Sequence, residues 1–232
     1  ARLPAERLHA VHLQGKGVAV RHRDETCASH MPVLMELVEI ARPKRVLEFG
    51  CGYYSTRLFV DACEEVVSVE EDDAWAEEMR ALYGARPNWR LAPGRGLPIA
   101  LGALRDFGKA DLVLIDGDVY RAEETNAALE SAPLVVGHDT QGWQHDAPGV
   151  FLRDRYRVPL GVAQVDFEQF PVSYPGCAGC SDRPWTTLFA RDPGVVAHFR
   201  DAEARLYEKY RFPYVHQRCP NPACGCMHKE LR

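Results

Sequence analysis

The chain has 232 residues, 46% of them hydrophobic, which is enough for one large domain with at most a small appendage. Its 28 lysines and arginines against 33 aspartates and glutamates give a net charge of -5, so no global positive field would attract nucleic acid or an anionic membrane. No apolar run approaches the ~20 residues of a membrane-spanning helix, and the first residues lack the hydrophobic core of a signal peptide. We therefore expect a soluble, cytoplasmic protein.

The first segment, residues 1–44, is predicted to be helical. Pro4–Val11 and Met31–Ala41 have helical patterns, and Ser29 is a candidate N-cap for the second helix. Pro43 is expected to end that helix, because proline disfavours helical backbone at the residue before it.

From Arg45 onward, short apolar strands alternate with segments of helix length. The predicted strands are Arg45–Phe49, Glu65–Val69, Trp89–Leu91, Ala110–Ile115 and Leu134–Val136. The predicted helices between them are Ser55–Ala62, Asp73–Tyr83, Leu97–Phe107 and Ala122–Ser131. Such alternation predicts a parallel sheet with helices on both faces, which is a doubly wound α/β fold.

The pattern changes after Val136. Val158–Phe167 and Thr186–Ala190 have strand patterns without a clear helix between them, which predicts an antiparallel hairpin at one sheet edge. The sheet would then be mostly parallel and seven-stranded, with a reversed edge strand. Pro193–Tyr210 is predicted to be one polar helix. The main domain would span residues 45–210, with a cysteine-containing loop at 170–184 and a cysteine-rich tail at 211–232 packed on that loop.

The stretch VLEFGCGYYST, Val46–Thr56, lies where the first strand turns into its helix, the place where open α/β sheets bind ligands. Gly50 and Gly52 let the backbone approach a ligand, and the helix that begins at Ser55 offers free N–H groups to an anion. Glu48 stands just before the turn. A buried carboxylate there is costly unless it has a partner or a function.

A second acidic position follows the second strand. Glu70 comes 20 residues after Gly50, the separation at which nucleotide-binding folds present a carboxylate to ribose hydroxyls. Glu71 is the neighbouring alternative for that role. Glu70 could instead be a solvated acid at the start of the helix Asp73–Tyr83.

Together, VLEFGCGYYST, VVSVEED and ADLVLIDGD resemble the class I S-adenosylmethionine (SAM)-dependent methyltransferases. The resemblance covers Arg45–Arg191 and implies a Rossmann-like fold with SAM as the cofactor. An NAD-dependent oxidoreductase is disfavoured, because the dinucleotide fingerprint has a third glycine or an alanine where this chain has Ser55.

The resemblance also implies roles around the first turn. Glu48 would orient the amino group of the methionine part of the donor, directly or through water. Gly50 and Gly52 would flank the donor, and Ser55 would stand at the helix start beside it. Candidate contacts to the donor's carboxylate are Ser29 and His30.

Later strand ends complete the cofactor site that the resemblance implies. Glu70 or Glu71 would hold the ribose, and Gly94 and Arg95 would line the adenine. Asp116, at the end of the fourth strand, would lie under the reacting end of the donor.

The methyl acceptor should lie beside the ends of strands four and five, since methyl transfer mainly requires a positioned nucleophile and, where needed, a base. Asp116, His138 and Asp139 converge there if the topology is correct, and His138 or Asp139 is the candidate general base. The following loop, Gln141–Asp146, contains Trp143 and His145 as further candidates for the acceptor pocket.

The same acidic residues suggest a metal alternative. Asp116, Asp118 and Asp139 could bind Mg²⁺ and polarise a hydroxyl acceptor, as in the catechol-type O-methyltransferases that these motifs partly resemble. This chain departs from that pattern, because Thr140 stands where the expected residue is asparagine. Asp118 could instead cap the next helix, and His138 could be a hydrogen-bonded loop residue.

Five of the eight cysteines crowd the last quarter of the chain. Cys177 and Cys180 form one close pair, and two of Cys219, Cys224 and Cys226 would form another, with His228 as an alternative ligand. Two such pairs are the usual ligand set of a structural zinc ion, which would tie the polar tail to the loop. Free thiols, disulfides or an iron–sulfur centre are the alternatives.

The sequence thus predicts a SAM-dependent methyltransferase that acts on a hydroxyl or amine of a small molecule and carries a zinc-bound tail. One alternative is a protein that binds SAM without catalysis. Another is a nucleic-acid or protein methyltransferase that grips a polymer with the zinc element and Arg153–Arg157; the negative net charge disfavours it. A homo-oligomer is left open.

Overall fold

The computed structural model describes residues 30–94, 96–117, 120–138, 140, 152–167 and 186–210. The strands in these ranges are β1 (Arg45–Phe49), β2 (Glu65–Glu70), β3 (Trp89–Pro93), β4 (Leu112–Ile115), β5 (Leu134–Gly137), β6 (Ala163–Phe167) and β7 (Thr186–Ala190). The α-helices are α1 (Met31–Ala41), α2 (Ser55–Ala62), α3 (Asp73–Tyr83), α4 (Leu97–Phe107), α5 (Arg121–Ser131), α6 (Pro193–Phe199) and α7 (Glu203–Tyr210). A short 3₁₀ helix, Leu152–Arg155, precedes β6.

All seven strands form one sheet in the order β3-β2-β1-β4-β5-β7-β6. The pairs among β1 to β5 are parallel, whereas β7 is antiparallel to both β5 and β6. The predicted doubly wound, mostly parallel seven-stranded fold is confirmed, with the reversed strand β7 lying just inside the edge strand β6. Because the strand order reverses between β1 and β4, the carboxyl ends of these two strands form the topological switch point where open α/β sheets bind ligands.

Successive strand residues face two different apolar layers. Val46, Leu114 and Val136 pack in the layer that contains α1, α2 and α3, whereas Leu47 and Val113 pack in the layer that contains α4 and α5. Side chains alternate between the two faces of a sheet. Glu48, Asp116 and His138, each two residues beyond a residue of the first layer, therefore extend from the face that α1 covers.

Most predicted elements agree with the structure within two residues at each end, but two differ more. β6 begins at Ala163 instead of Val158, because a turn with the fully exposed Leu160 and with Gly161 at a φ of 84° occupies the earlier residues. The single helix predicted over Pro193–Tyr210 is wrong, since the chain turns at Asp201, where φ is 56°, and separates α6 from α7. The turn lets both helices bury an apolar residue, Phe199 and Leu206.

A buried carboxylate joins α1 to α6 and α7. Glu36 is almost fully buried and accepts hydrogen bonds from His198 Nε2 (2.6 Å), Arg205 Nη1 (2.8 Å), Lys209 Nζ (2.5 Å) and the Tyr210 hydroxyl (2.6 Å). Burial alone would raise the pKa of Glu36, but the hydrogen bonds from Lys209, Tyr210, Arg205 and His198 outweigh it and lower the pKa to about 2. This Glu36 cluster fixes α1 against the C-terminal helices.

In the part of the chain that the structure describes, no helix has the length and apolarity needed to span a membrane.

Candidate donor and acceptor site

The glycine-rich turn after β1 has one glycine that the fold requires and one that it does not. Gly50 has a φ of 80°, and a Cβ atom there would lie 2.5 Å from the carbonyl oxygen of Asp116. Only glycine permits this approach of β1 to the end of β4. A Cβ at Gly52 would meet nothing closer than Ser55 Oγ at 3.8 Å, so the backbone of Gly52 faces open space. The predicted donor contact at Gly52 is sterically available.

Glu48 is fully buried beneath this turn. Its carboxylate accepts hydrogen bonds from the hydroxyls of Ser55 (2.5 Å), Thr56 (2.7 Å) and Ser68 (2.8 Å), which link β1 to β2 and to the start of α2. Burial raises the pKa of Glu48 to about 7, against the effect of the three hydroxyl donors. Glu48 therefore holds β1, β2 and the start of α2 together beneath the turn. Its predicted contact with the donor amino group remains a prediction.

Glu70 holds the same turn from the end of β2. One carboxylate oxygen accepts from the Cys51 N–H (3.2 Å) and contacts the Cys51 thiol (3.4 Å), and the other accepts from the N–H groups of Glu71 (3.0 Å) and Asp72 (2.9 Å). The residue is 7% exposed. Sequence analysis predicted Glu70 as a ribose ligand at the end of the second strand, which remains a prediction, and did not predict its contact with Cys51. Burial raises the pKa of the Cys51 thiol, which favours the uncharged form.

Helix α3 supplies aromatic support that sequence analysis missed. Trp75 Nε1 donates to the carbonyl of Cys51 (2.6 Å), and the Tyr83 hydroxyl donates to the carbonyl of Tyr53 (3.1 Å). The rings of Tyr53 and Trp75 meet edge to face with centroids 5.0 Å apart. Only the position of Trp75 in the first turn of the helix that follows Glu70 could have indicated this role. These contacts keep the backbone of the turn in one conformation.

Gly94 lies beside the end of β2, and its place at the adenine remains a prediction. Its N–H donates to the carbonyl of Glu70 (3.1 Å), and its φ is 151°. A Cβ at Gly94 would lie 2.5 Å from the Cδ1 atom of Ile99 in the first turn of α4. The turn after β3 therefore packs tightly against the start of α4.

Asp116 and His138 meet at the ends of β4 and β5, as the sequence predicted. Asp116 Oδ1 lies 2.8 Å from His138 Nδ1, and Arg121 Nη2 lies 3.7 Å from the same oxygen. Burial opposes ionisation of Asp116, but His138, His30 and Arg121 outweigh it and lower its pKa to about 2. An ionised carboxylate only accepts hydrogen bonds, so the proton of this pair belongs to His138 Nδ1.

His30 joins this pair from the residue before α1. Its ring meets the ring of His138 edge to face, with centroids 4.4 Å apart, and both histidines are at most 3% exposed. Sequence analysis considered His30 only as a contact to the donor carboxylate. The structure places it against the proposed general base.

The three residues also have the geometry of a metal-binding cluster. One ligand atom from each of His30, Asp116 and His138 lies within 4.8 Å of the others. Two imidazoles and one carboxylate suit a transition metal such as zinc, manganese or iron, whereas Mg²⁺ prefers oxygen ligands. These three residues alone are a poor ligand set for the predicted Mg²⁺, because two of them offer nitrogen ligands. The Mg²⁺ alternative depends on Asp118 and Asp139.

Several predicted site residues lie outside the described residues. They are Ser29, Arg95, Asp118, Asp139, Trp143, His145, Cys177, Cys180, Cys219, Cys224 and Cys226. The N-cap of α1 is His30, so the cap predicted at Ser29 is wrong. The donor, acceptor and metal-ligand assignments of these residues remain predictions from the sequence.

Comparison with known proteins gives a fold but no close relative. No protein-family model matches the sequence, and no curated protein matches it. Cofactor-bound Rv0187 from MTB superposes with a TM-score of 0.54 at 19% identity, over 81% of this chain and 87% of that chain. The N-methyltransferase NodS from Bradyrhizobium japonicum WM9, in complex with S-adenosyl-L-homocysteine, superposes with a TM-score of 0.53 at 12% identity, over 80% of this chain and 95% of that chain. The chain therefore has the Rossmann-like fold of the class I SAM-dependent methyltransferases.

Proposed function

We propose that this protein transfers a methyl group from SAM to a hydroxyl or amine of a small molecule. The observation that carries the proposal is the Asp116–His138 pair, which lies at the sheet edge that also carries the glycine-rich turn. A donor site and an acid–base pair at one topological switch point are what a methyl transfer between two small molecules requires.

The donor would lie across the turn after β1. Gly52 gives it room, Glu70 would accept hydrogen bonds from the ribose hydroxyls, and Gly94 would border the base. Bound there, SAM supplies a methyl group on a sulfonium sulfur. The chain's own task is to hold the acceptor in line with that methyl group and to take up its proton.

His138 is the proposed base. In the tautomer that donates its Nδ1 proton to Asp116, Nε2 would be the ring atom that accepts a proton from a hydroxyl or an ammonium group. Asp116 would fix the ring orientation and stabilise the imidazolium after proton transfer, because it stays ionised with a pKa of about 2. Asp139, adjacent in sequence, is the second candidate base.

The His30–Asp116–His138 cluster supports a metal-assisted alternative with the same residues. A divalent transition metal held there would supply Lewis acidity toward a hydroxyl acceptor. Removing metal ions with a chelator distinguishes the acid–base mechanism from the metal-assisted mechanism. Turnover that survives extensive chelation favours the acid–base pair, and turnover that is lost and then restored by Mn²⁺ or Zn²⁺ favours the metal.

Two further parts of the proposal depend on the sequence. A structural zinc ion would be held by Cys177, Cys180 and two of Cys219, Cys224 and Cys226, because paired thiols at such spacing suit tetrahedral zinc. A small-molecule acceptor fits the negative net charge, and the cytoplasmic location remains a prediction from the sequence.

The test is a transfer assay with methyl-labelled SAM and a panel of hydroxyl and amine acceptors. We expect turnover with at least one acceptor, and a loss of about 100-fold or more in His138→Ala, in keeping with the usual contribution of a general base. Asp106→Asn, at an exposed position of α4, is the matched control and should keep full activity. Full turnover in His138→Ala would refute the acid–base assignment.

A further inference from the structure

A fully buried hydroxyl group at the start of β7 has no hydrogen-bond partner. Thr186 is 0% exposed, and its Oγ1 atom has no donor or acceptor within hydrogen-bond distance among the described residues. Its neighbours Phe167, opposite in β6, and Leu188 are buried and apolar. Valine has the shape of threonine without the hydroxyl, and burying an unpaired hydroxyl is unfavourable because the group loses its hydrogen bonds to water. The hydroxyl of Thr186 therefore brings the fold a cost and no contact.

The sheet register places Thr186 beside His138. Gly137 of β5 lies opposite Thr187 of β7, so the next two residues of this antiparallel pair are His138 and Thr186. The ladder on the other side of β5 continues to the same point, because the His138 N–H donates to the carbonyl of Ile115 (2.9 Å). Residues directly opposite each other in an antiparallel pair have Cβ atoms about 4.5–5.5 Å apart. The two side chains are thus within reach of one ligand if they share a face.

Both side chains do extend from the same face of the sheet. Leu188, two residues after Thr186, and Val136, two residues before His138, pack in the apolar layer that contains α1. His138 therefore lies between Asp116 on β4, with Oδ1 2.8 Å from Nδ1, and Thr186 on β7. Of these three side chains Asp116 is the most exposed, at 20%. A ligand would reach the group from the end of β4, where the donor is proposed to lie.

The next residue shows how a buried threonine with a structural role is paired. Thr187 faces the opposite side of the sheet, and its hydroxyl donates to Asp166 Oδ1 (2.7 Å). The hydroxyl of Thr140 lies 2.8 Å from the same oxygen of Thr187, so Thr187 joins β6 to the segment after β5. Two adjacent threonines of β7 thus differ in their pairing, and only the unpaired one faces the proposed base.

We propose that the Thr186 hydroxyl binds the nucleophilic oxygen of the methyl acceptor and that the acceptor is a hydroxyl compound. This inference rests on the proposed function and names the acceptor class of the same site. In the transfer, the acceptor oxygen forms a bond to the methyl carbon while the bond from that carbon to the sulfonium sulfur breaks and leaves its electron pair on sulfur. The acceptor proton passes to His138 Nε2, and the second lone pair of the oxygen accepts a hydrogen bond from Thr186.

The count of lone pairs favours oxygen over nitrogen as the nucleophile. A hydroxyl oxygen has two lone pairs, one for the methyl carbon and one for the proton of Thr186. A neutral amine has a single lone pair, which the methyl transfer uses. The proton of Thr186 would then stay buried without an acceptor among the described residues. A site built around a hydrogen bond strongly disfavours a substrate that leaves its buried polar group unpaired.

The first test measures the stability of the full chain without ligand. Thr186→Val should have a thermal midpoint equal to that of the wild type or about 2–4 °C higher, because an unpaired buried hydroxyl is removed. Thr187→Val is the matched control at the next residue. Its midpoint should fall by about 2–4 °C, because Thr140 and Asp166 lose their shared partner. A fall of several degrees in Thr186→Val would show that the hydroxyl stabilises the fold and would overturn the inference.

The second test is the transfer assay with methyl-labelled SAM and pairs of acceptors that differ only in a hydroxyl or an amino group, such as phenol and aniline. Among the acceptors that the wild type methylates, kcat/KM should be at least tenfold higher for the hydroxyl member of a pair. Thr186→Val should lower kcat with hydroxyl acceptors at least tenfold and lose this preference, because the oxygen is no longer held in line with the methyl group. Thr186→Ser keeps the hydroxyl and should keep the preference.

The outcomes separate this inference from the proposed function. Equal or better turnover of the amino members, or full kcat in Thr186→Val, would overturn the role of Thr186 and leave methyl transfer established. Failure of the wild type to methylate any acceptor would overturn the proposed function and this inference with it.

Discussion

At the scale of single residues, the carboxyl groups of the site differ in what holds them. Glu48 is held by three hydroxyls, Glu70 by backbone N–H groups, and Asp116 by an imidazole. Their positions could be predicted, because the carboxyl ends of parallel strands meet at one edge of the sheet. The contact of His30 with His138 could not be predicted, because it depends on where α1 crosses the sheet and not on any local sequence pattern.

Gly50 provides a residue-scale prediction about stability. Gly50→Ala places a Cβ 2.5 Å from backbone atoms of Asp116 at a φ of 80°, and neither strand end can move away cheaply. The left-handed backbone costs about 1–2 kcal/mol and the overpacking about 1–3 kcal/mol more. We expect Gly50→Ala to lower the free energy of unfolding, measured by urea denaturation, by about the sum of these two costs.

Gly52→Ala is the matched control for Gly50→Ala. A Cβ at Gly52 meets only Ser55 Oγ at 3.8 Å, so the free energy of unfolding should change by less than about 0.5 kcal/mol. The same variant should weaken donor binding, because its methyl group enters the space assigned to the donor. Equal destabilisation by the two variants would contradict the separate roles of the two glycines.

At the scale of elements, the apolar patterns predicted most helices and strands, while the break between α6 and α7 escaped prediction. The sequence Phe199–Glu203 contains no glycine or proline, so nothing local marks a helix end there. The break has a tertiary cause, because it brings Arg205, Lys209 and Tyr210 to Glu36 on α1. Helix ends determined by a distant ion cluster are invisible to local sequence patterns.

The Glu36 cluster predicts an acid-sensitive contact between α1 and α7. The folded pKa of Glu36, about 2, lies below its ordinary value of 4.5, so its stabilising effect is present above about pH 4.5 and is lost as the pH falls toward 2. Glu36→Gln should lower the free energy of unfolding at pH 7 by about 1.5–3 kcal/mol, since partly exposed donors such as Arg205 and Lys209 lose a charged acceptor. The difference between the variant and the wild type should shrink between pH 5 and pH 3.

Glu39→Gln is the control for this cluster. Glu39 contacts the same Lys209 and Tyr210, but its side chain is 58% exposed, and exposed ion pairs contribute about 0–1 kcal/mol. Urea denaturation at pH 7, 5 and 3 measures both variants. A Glu36→Gln variant as stable as the wild type at pH 7 would show that the cluster does not hold α1 to α7.

The C-terminal cysteines give a second prediction at this scale. Protein purified without chelator should contain about one zinc ion per chain by elemental analysis, because two thiol pairs complete a tetrahedral site. The double substitution Cys177→Ser and Cys180→Ser should abolish it. Cys27→Ser, which belongs to neither predicted pair, should retain the metal. Metal-free wild-type protein would refute the zinc site.

At the scale of the whole molecule, the sheet order explains why the predicted residues form one site. The reversal between β1 and β4 brings the glycine-rich turn, Glu70 and Asp116 to adjacent strand ends, and β5 adds His138. The motif order in the sequence was sufficient to predict a mostly parallel seven-stranded sheet with a reversed strand, whereas the order of the strands comes from the structure. The acceptor could not be predicted, because loop residues determine the shape of its pocket and the same fold supports many substrates.

Donor binding is the central claim, and calorimetric titration of the full chain with S-adenosylhomocysteine tests it most directly. We predict saturable one-to-one binding that Glu70→Ala weakens at least tenfold, or about 1.4 kcal/mol, because a charged hydrogen-bond acceptor for the ribose is lost. Asp73→Ala, exposed in the first turn of α3, should bind as the wild type does. Absence of binding to the wild type, or an unchanged dissociation constant in Glu70→Ala, would contradict the account.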